Sequence, residues 1–311
     1  MTIVAESYQA STRLNRIERV LAYIHTHLDQ PLLVSELAAK SCWSRWQLQR
    51  VFSEQTGMSV AHYVRELKLS DAAQQLLTDK RRIIDIALSC GFTSEASFSR
   101  AFRQQYSMTP REYRRRGIMD GIRTPLQITA LTTPQPLWLS VHIQTRPQTT
   151  LVGDVAPILG LFAPEPNFND VVPALWQQAY MRGVVDLNQP SIGAIDVASA
   201  DTLQSPLPYL AGQQAPGGFR HDTTSWTIPE TTYAVITHTG PVCGLPDTLQ
   251  AFIYSWLPDS GYQCTDGVEL EVYPSGYQPH SNNAVMTYWV PLDPASRASC
   301  TKMNSISCLY P

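Results

Sequence analysis

Apolar residues in the first third of the chain recur with the 3.6-residue period of a helix. Leu14, Ile17, Leu21, Ile24 and Leu28 form one stripe. Asp29-Gln30-Pro31 ends it, because a residue before proline avoids the helical region. Short helices are predicted from Ser35 to Ser41 and from Ser44 to Gln55, the second closed by Gly57, and a long one from about Ser59 to Leu77. The pattern then starts again. Leu37, Ala38 and Trp43 match Ile86, Ala87 and Phe92 at an offset of 49; after one inserted residue, Leu48, Arg50, Phe52, Met58 and Tyr63 match Phe98, Arg100, Phe102, Met108 and Tyr113 at an offset of 50. Two helix-turn-helix units joined by a long helix follow from this repeat.

The second helix of each unit has two faces. Leu48, Val51 and Phe52 point inward, which leaves Arg45, Trp46, Gln49, Arg50 and Ser53 outward; Phe98, Ala101 and Phe102 likewise leave Glu95, Ala96, Ser99, Arg100 and Arg103 outward. A polar helix face is most often simply solvated, but here it occurs twice. Arginine offers a donor fork to guanine and glutamine pairs with adenine. The joining helix, at about 1.5 Å per residue, spans on the order of 30 Å, close to one DNA turn of about 34 Å. One chain, acting as a monomer, is thus expected to place two helices in successive major-groove segments of a double-stranded promoter site.

The remaining sequence mixes strand and helix periods. Strands are predicted at Leu151-Val152-Gly153, Ser191 to Val197, Thr231 to His238, Glu269 to Tyr273 and Ala284 to Val290. Helices are predicted from Asn169 to Met181 and Asp247 to Leu257. This is a twofold strand, helix, strand, strand order. In the glutamate strand, alternation puts Val268, Leu270 and Val272 on one face and Glu269, Glu271 and Tyr273 on the other. If that second face is solvated, the carboxylates carry no function. If it lines a cavity with Trp226, Trp176 or Tyr233, it suits a lipophilic organic cation.

Charge and proline separate the two parts. Residues 1 to 117 hold 17 basic against 11 acidic residues (+6), and the rest hold 6 against 15 (−9), which together give the net −3 of the 311-residue chain. Of 23 prolines, only Pro31 and Pro110 precede the cut. The expected organisation is an all-α domain over 1–117, a linker over 118–137 and an α+β domain over 138–311, with a polyanion as partner for the basic part. The segment Met1 to Ala10 lacks the features of a signal peptide, and no run of about 18 apolar residues is present, so a cytoplasmic protein without membrane contact is expected. Six cysteines form no CxxC pair, and seven histidines form no HExxH, so neither a metal nor a cofactor is expected.

The string from Ile86-Ala87 through Gly91-Phe92-Thr93-Ser94-Glu95-Ala96-Ser97-Phe98-Ser99-Arg100-Ala101-Phe102, with Thr109-Pro110 and Tyr113-Arg114, resembles the signature of AraC/XylS-type transcriptional regulators. Ser44-Arg45-Trp46-Gln47-Leu48-Gln49-Arg50 resembles the first recognition helix of their MarA, SoxS and Rob subgroup. The resemblance implies base or groove contacts by Trp46, Gln49 and Arg50, with Ser97, Ser99 and Arg100 in the second recognition helix. It also implies a transcriptional activator that works with RNA polymerase. Ser107 stands where many members have glycine, and Ala96 where a subgroup glutamine reads a base. Arg114-Arg115-Arg116 either touches phosphates or is a solvated charge run.

Ile228-Pro229-Glu230-Thr231-Thr232-Tyr233-Ala234-Val235, His238-Thr239-Gly240-Pro241, Trp256-Leu257-Pro258, Glu271-Val272-Tyr273 and Trp289-Val290-Pro291 resemble the GyrI-like ligand-binding domain. This implies tandem β-α-β-β repeats around a pocket for a small organic effector, with Glu271 as its acid and Glu269 as second choice. Some GyrI-like domains hydrolyse small electrophiles. An alternative is therefore a hydrolase in which Glu271 and Tyr273 act on water or a strained ring, although the chain is read as a regulator rather than an enzyme.

Overall fold

In both helix-turn-helix repeats, corresponding helices start where a side chain satisfies the free backbone amides, and they do so in register. The computed structural model describes residues 16–126, 139–160, 163, 165–199, 205–214 and 223–296. Leu14 of the predicted first stripe and residues 127–137 of the predicted linker lie outside them. A helix α1 covers 16–26, followed by α2 (Val34–Ser41), α3 (Arg45–Thr56), α4 (Val60–Thr78), α5 (Ile83–Ser89), α6 (Glu95–Tyr106) and α7 (Pro110–Arg116). Ser44 and Gln47 exchange side-chain-to-backbone bonds at the start of α3, and Ser94 accepts from the Ser97 amide at the start of α6, 50 residues on. Ser59 caps α4, and the capping box of Thr109 and Glu112 starts α7, again 50 residues on. The left-handed turn residues repeat as well: Cys42 matches Gly91, and Gly57 matches Ser107.

The second helix-turn-helix unit closes on Leu69, Ala72, Ala73, Leu76, Ile86, Ala87, Cys90, Phe98, Phe102 and Tyr113. Phe102 and Tyr113 meet edge to face at 5.4 Å. Residues after α7 remain with this unit: the Arg123 amide donates to Ser70 Oγ at 2.8 Å, and the Leu126 amide to Tyr63 Oη at 2.9 Å. The chain divides into two units, Met1–Ser41 with Val51–Thr132, and Cys42–Arg50 with Thr133–Pro311.

The second unit is built on one antiparallel sheet. Its strands are β1 (Ser140–Arg146), β2 (Thr149–Ile158), β3 (Ser191–Asp196), β4 (Leu207–Gln214), β5 (Thr224–Ile228), β6 (Thr231–Thr239), β7 (Gln263–Cys264), β8 (Val268–Tyr273) and β9 (Val285–Asp293). The order is β1-β6-β9-β8-β3-β4-β2-β5, with β7 against the end of β9. Helix α8 (Phe168–Met181) joins β2 to β3. After β6, α9 (Leu245–Ala251) runs through a π turn, Phe252–Trp256, into α10 (Leu257–Ser260). The repeats β2-α8-β3-β4 and β6-α9/α10-β8-β9 therefore abut through the pairing of β3 with β8.

Sequence reasoning did not place β1, β4, β5 and β7. In β4, Pro208 suggests a loop. It is nonetheless accommodated, because it faces Pro157 of β2 and lies one residue outside the run Tyr209–Gly212 that pairs with β3, so no bond on that side needs its missing amide. Among the described residues, no helix is long and apolar enough to cross a membrane.

Candidate functional site

Glu271 sits on β8 at the seam between the repeats, directly opposite Gly193 of β3 and Tyr288 of β9. Its Oε2 accepts hydrogen bonds from Tyr209 Oη at 2.6 Å and Tyr273 Oη at 2.7 Å. Tyr209 accepts in turn from Trp176 Nε1 at 2.9 Å, and the Trp176 ring meets Tyr273 edge-on at 5.5 Å. Trp176 is carried by α8, which is held to the sheet by buried Leu175 and Ala179 and by Arg182 on Asp154 at 2.5 Å. Gly193 makes the cluster possible: a methyl group there would overlap the Tyr209 hydroxyl and stand 2.8 Å from Glu271 Oε2.

The two glutamates differ. Glu269 is buried, with 8% exposed, and its Oε2 accepts from Tyr288 Oη at 2.5 Å. Burial raises its pKa to about 7, with the Tyr288 hydrogen bond pulling it back. Glu271 is also raised by burial and opposed by its two tyrosines, yet it keeps accessible surface. The same environment lifts Tyr209 and Tyr273 well above the usual phenol range, so both stay protonated and donate.

The predicted ligand residues are only partly brought together. Glu269, Glu271, Tyr273 and Trp176 share one face. Tyr233 and Trp226 belong to the opposite face, with Leu270, Val268, Val272 and Trp289. Strand alternation accounts for this correction: Tyr233 packs edge-on to Trp289, which is the cross-strand partner of Leu270. That aromatic group already holds a cation, the Arg146 guanidinium, 5.5 Å over the Trp289 ring. Tyr209, Tyr288 and Tyr277 were missed. The opposed registers of β4 and β9 carry the first two, and β4 was not recognised.

In α6, Glu95, Ser97, Arg100 and Arg103 are exposed and Ser99 is half-buried, as an outward face requires. The Ser97 hydroxyl also donates to the Ser94 carbonyl at 2.9 Å. In α3 the predicted exposure is not found: Trp46 and Arg50 are buried, and Arg45 and Gln49 are half-buried. Residues 42–50 belong to the second unit, where Arg45 Nε pairs with Asp266 at 2.6 Å and the Trp46 amide donates to the same carboxylate at 3.3 Å. Arg114 is not a solvated charge. It donates to the carbonyls of Leu76 at 3.1 Å and Arg81 at 2.9 Å, closing the end of α4.

A helix-turn-helix domain model matches residues 37–116, and a GyrI-like small molecule binding domain model matches 160–293. The chain is 43% identical over 100 residues to the regulatory protein SoxS of Escherichia coli K12, covering 94% of that protein and 32% of this chain. It belongs to the AraC/XylS family of helix-turn-helix regulators, in the MarA, SoxS and Rob subgroup, and carries a GyrI-like domain. The transcriptional regulator Rob of Salmonella typhimurium is 42% identical over 128 residues, 40% of this chain and 44% of that protein. The right origin-binding protein of Escherichia coli K12 is 38% identical over 139 residues, 44% of this chain and 46% of that protein. The chain thus spans about half the length of these last two relatives.

Proposed function

We propose that this protein is a sequence-specific DNA-binding transcriptional regulator, an activator acting with RNA polymerase, whose GyrI-like domain binds a small lipophilic organic cation. The observation that carries the effector half is half-buried Glu271, whose carboxyl group lies between aromatic side chains and, among the described residues, forms no ion pair with a basic one. The DNA half rests on the duplicated helix-turn-helix and on α6, whose Glu95, Ser97, Arg100 and Arg103 are at the surface. In α3, Trp46 and Arg50 reach bases only when released from burial, since a covered side chain cannot bond a base edge, and Arg45 only when it leaves Asp266.

Footprinting with the full chain tests the DNA half. An asymmetric footprint of about two duplex turns, weakening steeply with salt, is expected from one chain placing two helices. Equal binding to random and promoter DNA would remove the regulator reading. In vitro transcription from the footprinted promoter gives the sign, and fewer transcripts on adding protein would make it a repressor. Calorimetry with cationic and neutral aromatics tests the effector half: Glu271→Gln is expected to weaken cations and leave neutral ligands unchanged. Consumption of an electrophilic ligand that Glu271→Gln abolishes would instead support a hydrolase.

A further inference from the structure

Among the described residues, the groups that face Glu271 bring no positive charge of their own, while Arg50 acts on its neighbours Glu269 and Tyr288. Trp176 faces it from α8, Tyr209 from β4, Tyr273 and Glu269 from its own strand, Tyr277 from the turn after β8, and Tyr288 from β9, while β3 contributes only Gly193. An ionised carboxylate in such surroundings is strongly disfavoured unless it is paired. Two hydroxyl donors soften that cost without supplying a counter-charge. Both donate to the same oxygen, Oε2, so Oε1 is the atom left to take a proton or meet a cation.

We propose that the pocket is a proton–cation exchange site: Glu271 carries a proton on Oε1 when the pocket is empty, and a permanently charged lipophilic cation binds by displacing it. This rests on the reading of Glu271 as the cation-binding residue. In the exchange the Oε1–H bond breaks, the proton passes to solvent buffer, and the carboxylate pairs with the cation, so the site's charge is unchanged. A basic amine that is already protonated in solution releases the same single proton whichever form enters, whereas an amine that is neutral in solution takes the Glu271 proton onto its nitrogen and releases none. The proton count therefore separates ligands charged in solution from ligands neutral there. Burial, which lifts the Glu271 pKa, acts in the same direction.

The test uses the full chain and tetraphenylphosphonium, whose charge does not titrate. Calorimetry at about pH 6 in buffers of different ionisation enthalpy should show up to one proton released per cation. Affinity should rise up to about tenfold per pH unit while Glu271 is protonated and level off above. Infrared difference spectra of the empty protein should contain a protonated-carboxyl band that the cation removes and that Glu271→Gln lacks. Because Glu269 also holds a proton at this pH, Glu269→Gln must keep the release, and Glu271→Gln must lose it. Binding without proton release and without pH dependence overturns the exchange but leaves the cation reading standing. Failure to bind at any pH overturns both.

Discussion

A side chain at position 193 has no room, because the Tyr209 hydroxyl and Glu271 Oε2 already fill the space over its backbone. Gly193→Ala must push Tyr209 off the carboxyl group, and overpacking of this kind costs about 1 to 3 kcal/mol. The expected result is a lower melting temperature together with at least about tenfold weaker cation binding, read by thermal melts and calorimetry. Unchanged values in both would mean that the Tyr209–Glu271 bond does not shape the pocket. Ser107 gives the opposite case: it adopts φ 56° at the end of α6, where its amide bonds the Arg103 carbonyl. A residue with a Cβ is strained there, and the repeat partner is Gly57, so Ser107→Gly should gain about 1 kcal/mol in a urea melt. Ser107 could be singled out in the sequence because its repeat partner is visible. Gly193 could not, since its importance comes from a tyrosine on a strand the sequence did not reveal.

Among elements, what was legible followed from periodicity. Helices α2 to α4 fall within a residue or two of their predicted ends, because caps and turn residues mark them locally. The strands around Glu271 fall where alternation puts them, and Glu269, Glu271 and Tyr273 do share a face. Alternation within one strand does not say which residues of other strands join that face, so Trp226 and Tyr233 were assigned to the wrong side of the sheet. Charge runs are ambiguous for a similar reason. In sequence, Arg114 reads equally as a phosphate contact or as part of a solvated charge run, but its guanidinium bonds the end of α4 and the turn beyond. Arg114→Ala should therefore lower the stability of the helical unit by about 1 to 3 kcal/mol, while the slope of log affinity against log salt stays the same. A slope smaller by about one, with stability unchanged, would return Arg114 to the DNA backbone.

At the scale of the whole molecule, the basic part of +6 and the acidic part of −9 fit the proposed division between a DNA reader and a receptor for a cation. The acidic part also leaves a mark on stability. Glu269 holds its proton up to about pH 7 in the folded protein, whereas an unfolded glutamate releases it near its ordinary value of about 4.3. Between those values the folded state binds more protons, so stability falls as pH rises through the window and is flat above it. Denaturant melts of the empty protein from about pH 4 to 8 should show a loss of which roughly 3 kcal/mol disappears in Glu269→Gln, while the share due to Glu271 remains in that variant. A profile that rises across the same window would contradict the buried, protonated Glu269.

If one chain both reads DNA and receives a cation at Glu271, as proposed, occupation of that site should alter the reading. The most direct test is a fluorescence anisotropy titration of a footprinted promoter duplex with the full chain, with and without saturating tetraphenylphosphonium. Coupling between sites typically amounts to about fivefold or more in affinity, so the cation should change the duplex Kd by at least that factor in the wild type and leave Glu271→Gln unchanged. Identical duplex affinities for the wild type with and without bound cation would mean that the Glu271 site does not govern DNA binding.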